Sequence, residues 1–156
     1  VGGDEEAYAR VEPILRELGT PTYIGENGQG LVLKLAINIS LAVQMLAFSE
    51  GLLLAERAGI DRKLAADVMT QTAIGSPMLK ARAALVLDLP DEAWFDIGLM
   101  QKDIALALET GRRLLVPLPS AASADEMLTV ARALGYERRD LAALFEVLSR
   151  VSGVEA

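Results

Sequence analysis

The chain has 156 residues, 52% of them hydrophobic, with 15 Lys+Arg against 22 Asp+Glu and a formal net charge of −7. That length suits one domain burying roughly 68–70% of the surface its unfolded chain exposes, and the apolar content excludes a disordered tail. With neither His nor Cys, a zinc or iron–sulfur site, a disulfide framework and a Ser-His or Cys-His nucleophile are excluded, and the acidic balance argues against a nucleic-acid partner.

The start, Val1-Gly2-Gly3-Asp4, has no initiator Met, basic n-region or apolar h-region. It reads as the interior of a longer protein, without a leader, and a cytoplasmic location is the expectation. Helix formers dominate, and the expected fold is all-α: six or seven helices bundled around one long central helix. Asp4 can cap a first helix towards Leu18, which Pro13 should kink or divide. Thr22-Tyr23-Ile24 is β-prone, and a lone strand there would need a sheet outside this chain. A change of unit is expected at 26/27, with residues 1–26 a connector and 27–156 a helical substrate-binding and dimerisation domain.

Gly28 and Gly30 then precede an uninterrupted helical pattern from about Leu31 to Ala58, roughly 40 Å long. Its first two-thirds are apolar nearly all round, a pattern that calls for burial on all faces, here by a partner subunit or a further domain. The uncharged stretch Leu35–Ser49 falls short of a bilayer span, so no membrane partner is expected. Further helices are expected from Asp61 to Thr72, from Ser76-Pro77 to about Ala84, from Ile97 to about Arg113, from a Ser120 cap to Leu134, and from Asp140 to Val151. Residues 85–92 read as a loop, Trp94-Phe95 as a core anchor, and Arg138-Arg139-Asp140 as a solvated face and helix start.

The chemistry-bearing residues are few. Lys34 sits one turn into a very apolar helix, where desolvation lowers a lysine's pKa towards general acid–base use. Asn38, four residues on, shares its face and can orient a hydroxyl or carbonyl. The glycines of Gly25-Glu26-Asn27-Gly28-Gln29-Gly30 permit close backbone approach before a helix N-terminus. In Lys102-Asp103, adjacent residues do not share a helix face, so an intrahelical pair is not expected; one of the two must point near the apolar face and find a partner. Each of these also has a plain structural reading: a snorkelling lysine, an ordinary turn, an exposed charge step.

Taken together, Gly-x-x-Gly-x-Gly-x-x-x-Lys-x-x-x-Asn, Glu50, Gly59-Ile60-Asp61, Ser76-Pro77 and Lys102-Asp103-Ile104 resemble the β-hydroxyacid dehydrogenases, the family of 3-hydroxyisobutyrate dehydrogenase and small semialdehyde reductases. The match covers the C-terminal helical domain of that family. The resemblance implies an NAD- or NADP-dependent oxidoreductase interconverting a small hydroxy acid and its semialdehyde or keto acid. Lys34 would be the general acid/base. Asn38, Gly28 and Gly30 would bind substrate, and Lys102 and Phe95 would lie by the cofactor. No metal is implied, and the assembly would be a dimer or tetramer. The dinucleotide fingerprint is missing from this chain, which alone is expected to be inactive. Ile37 stands where the family often has a second Asn. An imine reductase, or a non-catalytic helical assembly module, is the competing reading on the same fold.

Overall fold

A computed structural model describes residues 1–153, and every regular element among them is helical. The chain divides into two compact units, Val1–Ile37 and Asn38–Ala156. The division falls inside a helix, whereas the sequence reading put it at 26/27.

In the first unit, α1 (Glu5–Arg16) starts where the Asp4 carboxylate accepts the Ala7 N–H at 2.7 Å. It runs unbroken through Pro13. Proline removes one backbone donor and strands one carbonyl, but α1 buries none of its residues, so solvent can satisfy that carbonyl. Thr22–Ile24 forms no strand. Instead, Ile24 N–H donates to the Val1 carbonyl and Gly3 N–H to the Gly25 carbonyl, both at 2.8 Å. This single parallel bridge joins Gly2 to Gly25. The extended segment therefore finds its partner inside the chain. The Tyr23 hydroxyl donates to the Gly3 carbonyl at 3.0 Å, and the Tyr8 and Tyr23 rings lie 5.3 Å apart.

The long helix is α2 (Gln29–Arg57). Its C-terminal part supplies Ala42, Met45, Phe48 and Leu52 to the core of the second unit. Elsewhere on it Leu31, Ile37 and Leu54 are 59%, 58% and 74% exposed. Within this chain α2 is not buried on all faces. Among the described residues α2 is also the one helix long and apolar enough to cross a membrane, which corrects the expectation that its uncharged stretch falls short of a span. A core helix satisfies the same criterion, and Met45, Phe48 and Leu52 are at most 2% exposed.

The remaining helices follow their caps. Asp61 accepts from Leu64 N–H before α3 (Arg62–Gln71), and Ser76 from Leu79 N–H before α4 (Pro77–Leu87), which extends into the expected loop. Asp96 accepts from Leu99 N–H before α5 (Ile97–Leu114). For α6 (Pro119–Ala133) the expected Ser120 cap is absent. The helix begins on Pro119, with Leu118 at the cap position and no side-chain cap bond; proline at N1 brings a helical φ and needs no acceptor. Between α5 and α6, Leu115 takes φ 57° and Val116 N–H returns to the Gly111 carbonyl at 2.9 Å. Glycine suits this return, since a Cβ at Gly111 would lie 2.9 Å from the Val116 carbonyl oxygen, a backbone atom. A 3₁₀ turn (Leu141–Ala143) leads into α7 (Leu144–Val151), whose Leu144, Phe145 and Val147 complete the core.

Asp140, expected on a solvated face, is fully buried. Its Oδ1 accepts from Arg82 Nη1 at 2.7 Å and from Ala142 N–H at 2.9 Å. Its Oδ2 accepts from Trp94 N–H at 2.9 Å and Phe95 N–H at 3.1 Å. Ile97 N–H bonds the Arg139 carbonyl and Leu141 N–H the Phe95 carbonyl alongside. One carboxylate thus ties α4, the entry to α5 and the start of the C-terminal helix. Arg82 is itself buried. Asp140→Asn should therefore leave an uncompensated buried cation and destabilise the protein by about 3–5 kcal/mol. Urea unfolding followed by circular dichroism measures this, and a loss below about 1 kcal/mol would contradict the bonding described.

Candidate functional site

In the second unit, α2 and α5 meet through polar side chains in apolar surroundings. Asp103 shares its helix face with Met100 and Ala107, three residues before it and four after, and both are buried. The carboxylate is drawn inward with them and is 2% exposed. Asn38, 9% exposed, donates through Nδ2 to Asp103 Oδ2 at 2.7 Å. Lys102 Nζ lies 3.2 Å from Asp103 Oδ1, with its side chain 59% exposed. The expected inward-pointing member of the Lys102-Asp103 step is thus Asp103, and its expected partner is Asn38. The expectation that the two neighbours do not pair is corrected, because the lysine stem is long enough to bring its ammonium back to the adjacent carboxylate.

Beyond Lys102, α5 and α6 border a polar groove of about 400 Å³ lined by Gly98, Gln101, Lys102, Asp125, Arg132 and Glu137. Arg132 donates to Gln101 Oε1 at 2.9 Å and pairs with Glu137 at 2.8 Å. Asp125 Oδ1 is buried there without a hydrogen-bond partner among the described residues. A separate cavity of about 420 Å³, lined mainly by apolar residues such as Ile39, Val43, Phe48 and Leu79, holds none of the candidate residues.

The other candidates have different surroundings. Lys34 lies four residues before Asn38 on α2 and is exposed, as are Leu31, Val32 and Leu33. The apolar first turn expected to desolvate Lys34 is itself at the surface. Phe95 is half-buried, with its N–H held by Asp140. Trp94 is 65% exposed and is not the core anchor expected.

Gly28 and Gly30 belong to the first unit. Gly28 takes φ +91° where the turn enters α2, a conformation that favours glycine. In the same turn Gln29 N–H donates to the Glu26 carbonyl and Glu26 N–H to Gln29 Oε1, a reciprocal arrangement that opens the helix. A Cβ on Gly30 would lie 3.0 Å from the Gly2 nitrogen, and one on Gly2 would lie 2.7 Å from the Glu26 carbonyl oxygen. Both glycines allow the chain start to lie against this turn.

These features coincide with a known family. The sequence model described as NAD-binding of NADP-dependent 3-hydroxyisobutyrate dehydrogenase matches residues 28–148. The chain is 32% identical to glyoxylate/succinic semialdehyde reductase 2 of Arabidopsis thaliana over 155 residues, 99% of this chain and 43% of that protein. It is 34% identical to 2-hydroxy-3-oxopropionate reductase of Escherichia coli strain K12 over 149 residues, 95% of this chain and 51% of that one. The crystal structure of 3-hydroxyisobutyrate dehydrogenase from Salmonella typhimurium superposes with a TM-score of 0.84 at 30% identity, covering 94% of this chain and 52% of that one. The chain belongs to the 3-hydroxyisobutyrate dehydrogenase family, within the β-hydroxyacid dehydrogenases, and has the all-α fold expected for the C-terminal domain. It spans about half the length of the curated relatives it matches.

The residues present fit an edge of a nicotinamide dinucleotide rather than its whole length. Lys102 offers an exposed ammonium beside a polar groove. Among the described residues there is no strand–turn–helix of the kind that binds the pyrophosphate.

Gly30→Ala should push the chain start off the turn, because the atom its Cβ meets is backbone. Amide hydrogen exchange at Gly3 and Ile24 should accelerate by at least about fivefold, the size expected of an overpacking cost of about 1–3 kcal/mol. Unchanged protection at both amides would show that the close approach is not a constraint.

Proposed function

We propose that this chain is the substrate-binding and dimerisation domain of an NAD(P)-dependent oxidoreductase that interconverts a small 3-hydroxy acid and its semialdehyde or keto acid. The observation that carries the reading is the buried Asn38–Asp103 pair with Lys102 attached, on the helices that also hold the family's sequence pattern. The names of the relatives, reductases and dehydrogenases of small hydroxy acids and semialdehydes, support the substrate class. The cofactor class is supported by the family description.

A bound nicotinamide supplies or accepts the hydride. The protein's own groups then have two tasks: moving one proton at the substrate oxygen and holding the substrate in line. Lys34 is assigned the first, giving a proton to the carbonyl oxygen in reduction and taking it back in oxidation. Asn38, one turn on along α2, is assigned the second. The turn at Gly28 and Gly30 would face the substrate carboxylate, and Lys102 and Phe95 would border the cofactor. Because Lys34 is exposed in this chain, its role requires cover from further protein, and the exposed apolar residues Leu31, Val32, Leu33 and Ile37 on the same stretch of α2 are where that cover would lie.

Assayed in the native full-length polypeptide with a panel of small semialdehydes and both NADH and NADPH, Lys34→Ala should lower kcat by about 10²–10⁴. KM should change less, since the proton is needed mainly in the transition state. A correctly folded Lys34→Ala enzyme with kcat within threefold of the parent would end the assignment. Self-association through α2 is the companion expectation. Sedimentation should give a dimer or larger, and a monomer at low micromolar concentration would contradict it.

A further inference from the structure

We infer that Asn27 is a self-modification site: its side-chain amide is lost through ring closure with the Gly28 nitrogen, leaving either aspartate, which keeps the chain start on its turn, or isoaspartate, which releases it. The inference is independent of the activity proposed above. The chemistry needs only water and base from the solvent. The Gly28 backbone nitrogen attacks Asn27 Cγ, a bond forms between them, and the bond from Cγ to Nδ2 breaks. The Gly28 amide proton leaves with Nδ2 as ammonia, and a cyclic imide remains. Water then opens the imide at one of its carbonyls. Breaking the new bond gives aspartate with the chain path unchanged. Breaking the original peptide bond gives isoaspartate, whose chain runs through Cγ and is one carbon longer. One water is consumed, one ammonia is released, and nothing is oxidised or reduced.

The local structure favours closure at this dipeptide. The residue after Asn27 is glycine, so no Cβ crowds the attacking nitrogen. Neither the Gly28 N–H nor the Asn27 carboxamide has a hydrogen-bond partner among the described residues. Both residues are exposed, which admits water and base. One backbone bond, from Gln29 N–H to the Glu26 carbonyl at 3.1 Å, spans the turn and resists the rotation that closure requires. The other asparagine of the chain has the opposite surroundings. Asn38 is followed by the β-branched Ile39 inside α2, is 9% exposed, and has its Nδ2 held by Asp103 at 2.7 Å.

The two products differ in what they do to the turn. Each adds a carboxylate beside those of Asp4 and Glu26, which line one groove with Gly3 and Asn27. The N-terminal end of the α2 dipole offsets that repulsion. Only isoaspartate lengthens the backbone. The turn has no slack for this, since a Cβ on Gly2 would already lie 2.7 Å from the Glu26 carbonyl oxygen.

The test incubates the native protein in mildly alkaline buffer made with heavy-oxygen water, beside its own tryptic peptide of residues 17–34. Both are followed by mass spectrometry with fragmentation. Trypsin leaves Asn27 in that peptide and Asn38 in the peptide 35–57. Asn27 should convert in the folded protein within about tenfold of its rate in the free peptide, because one exposed hydrogen bond slows closure by no more than that. The product should carry heavy oxygen and contain both isomers, with Asn38 and Gln29 intact. Slower conversion in the folded protein, conversion to aspartate alone, or equal conversion of Asn38 would overturn the proposal. Amide exchange at Gly3 and Ile24 then separates the products. Asn27→Asp carries the charge without the extra carbon and should keep native protection, whereas the purified isoaspartyl form should exchange at least about fivefold faster. Equal protection in the two forms would overturn the release of the chain start.

Discussion

The carboxylate of Asp140 has been withdrawn completely from water, where an unpaired charge would cost several kcal/mol. It is tolerable only because four donors converge on its two oxygens: the Arg82 guanidinium and the N–H groups of Trp94, Phe95 and Ala142. Three of the four are backbone groups, so the interaction constrains chain path as well as side-chain position. It determines where α5 begins and how the last helix enters the core. The start of α5 in turn sets the register of Met100, Asp103 and Ala107, and with it the depth of the carboxylate that meets Asn38. The polar site and the structural knot belong to one helix, and the first depends on the second.

The helical architecture was legible because its signals are local. Asp4, Asp61 and Ser76 precede their helices as caps, Pro77 and Pro119 mark first turns, and the apolar run after Gly30 could be nothing but a long helix. The failures have a common cause, which is that the deciding contact comes from far away in sequence. Nothing in Arg138-Arg139-Asp140 distinguishes a solvated charge run from a buried anchor, because the partner that decides it is Arg82, 58 residues earlier. Thr22–Ile24 read as a strand in search of a sheet because its partner is the chain's own first residues. Ser120 was a plausible cap, but a proline one residue earlier supplied the helical φ without one.

The site was half legible. Lys34, Asn38 and Lys102 were singled out by spacing and residue type, and the contact of Asn38 and Lys102 with Asp103, which was flagged as needing a partner, is what the structure adds. The missed signal was positional. Asp103 lies between Met100 and Ala107 on one face of α5, and a carboxylate embedded in an apolar stripe has to be bonded to something that donates. Lys34 shows the opposite limit. An apolar neighbourhood in sequence does not imply burial when that turn of helix lies at the surface.

The separation of the Asp140 bonds along the chain also has a consequence for the order of assembly. Its partners lie 58, 46 and 45 residues before it, and closing loops of that length is entropically costly until intervening structure has shortened them. Caps and helices form from neighbours three or four residues apart. Closure of the knot is therefore expected to follow the helices it joins. Bonds that close so late are expected to slow unfolding rather than hasten folding. The expected weight of Asp140 is on how long the domain lasts rather than on how fast it is made.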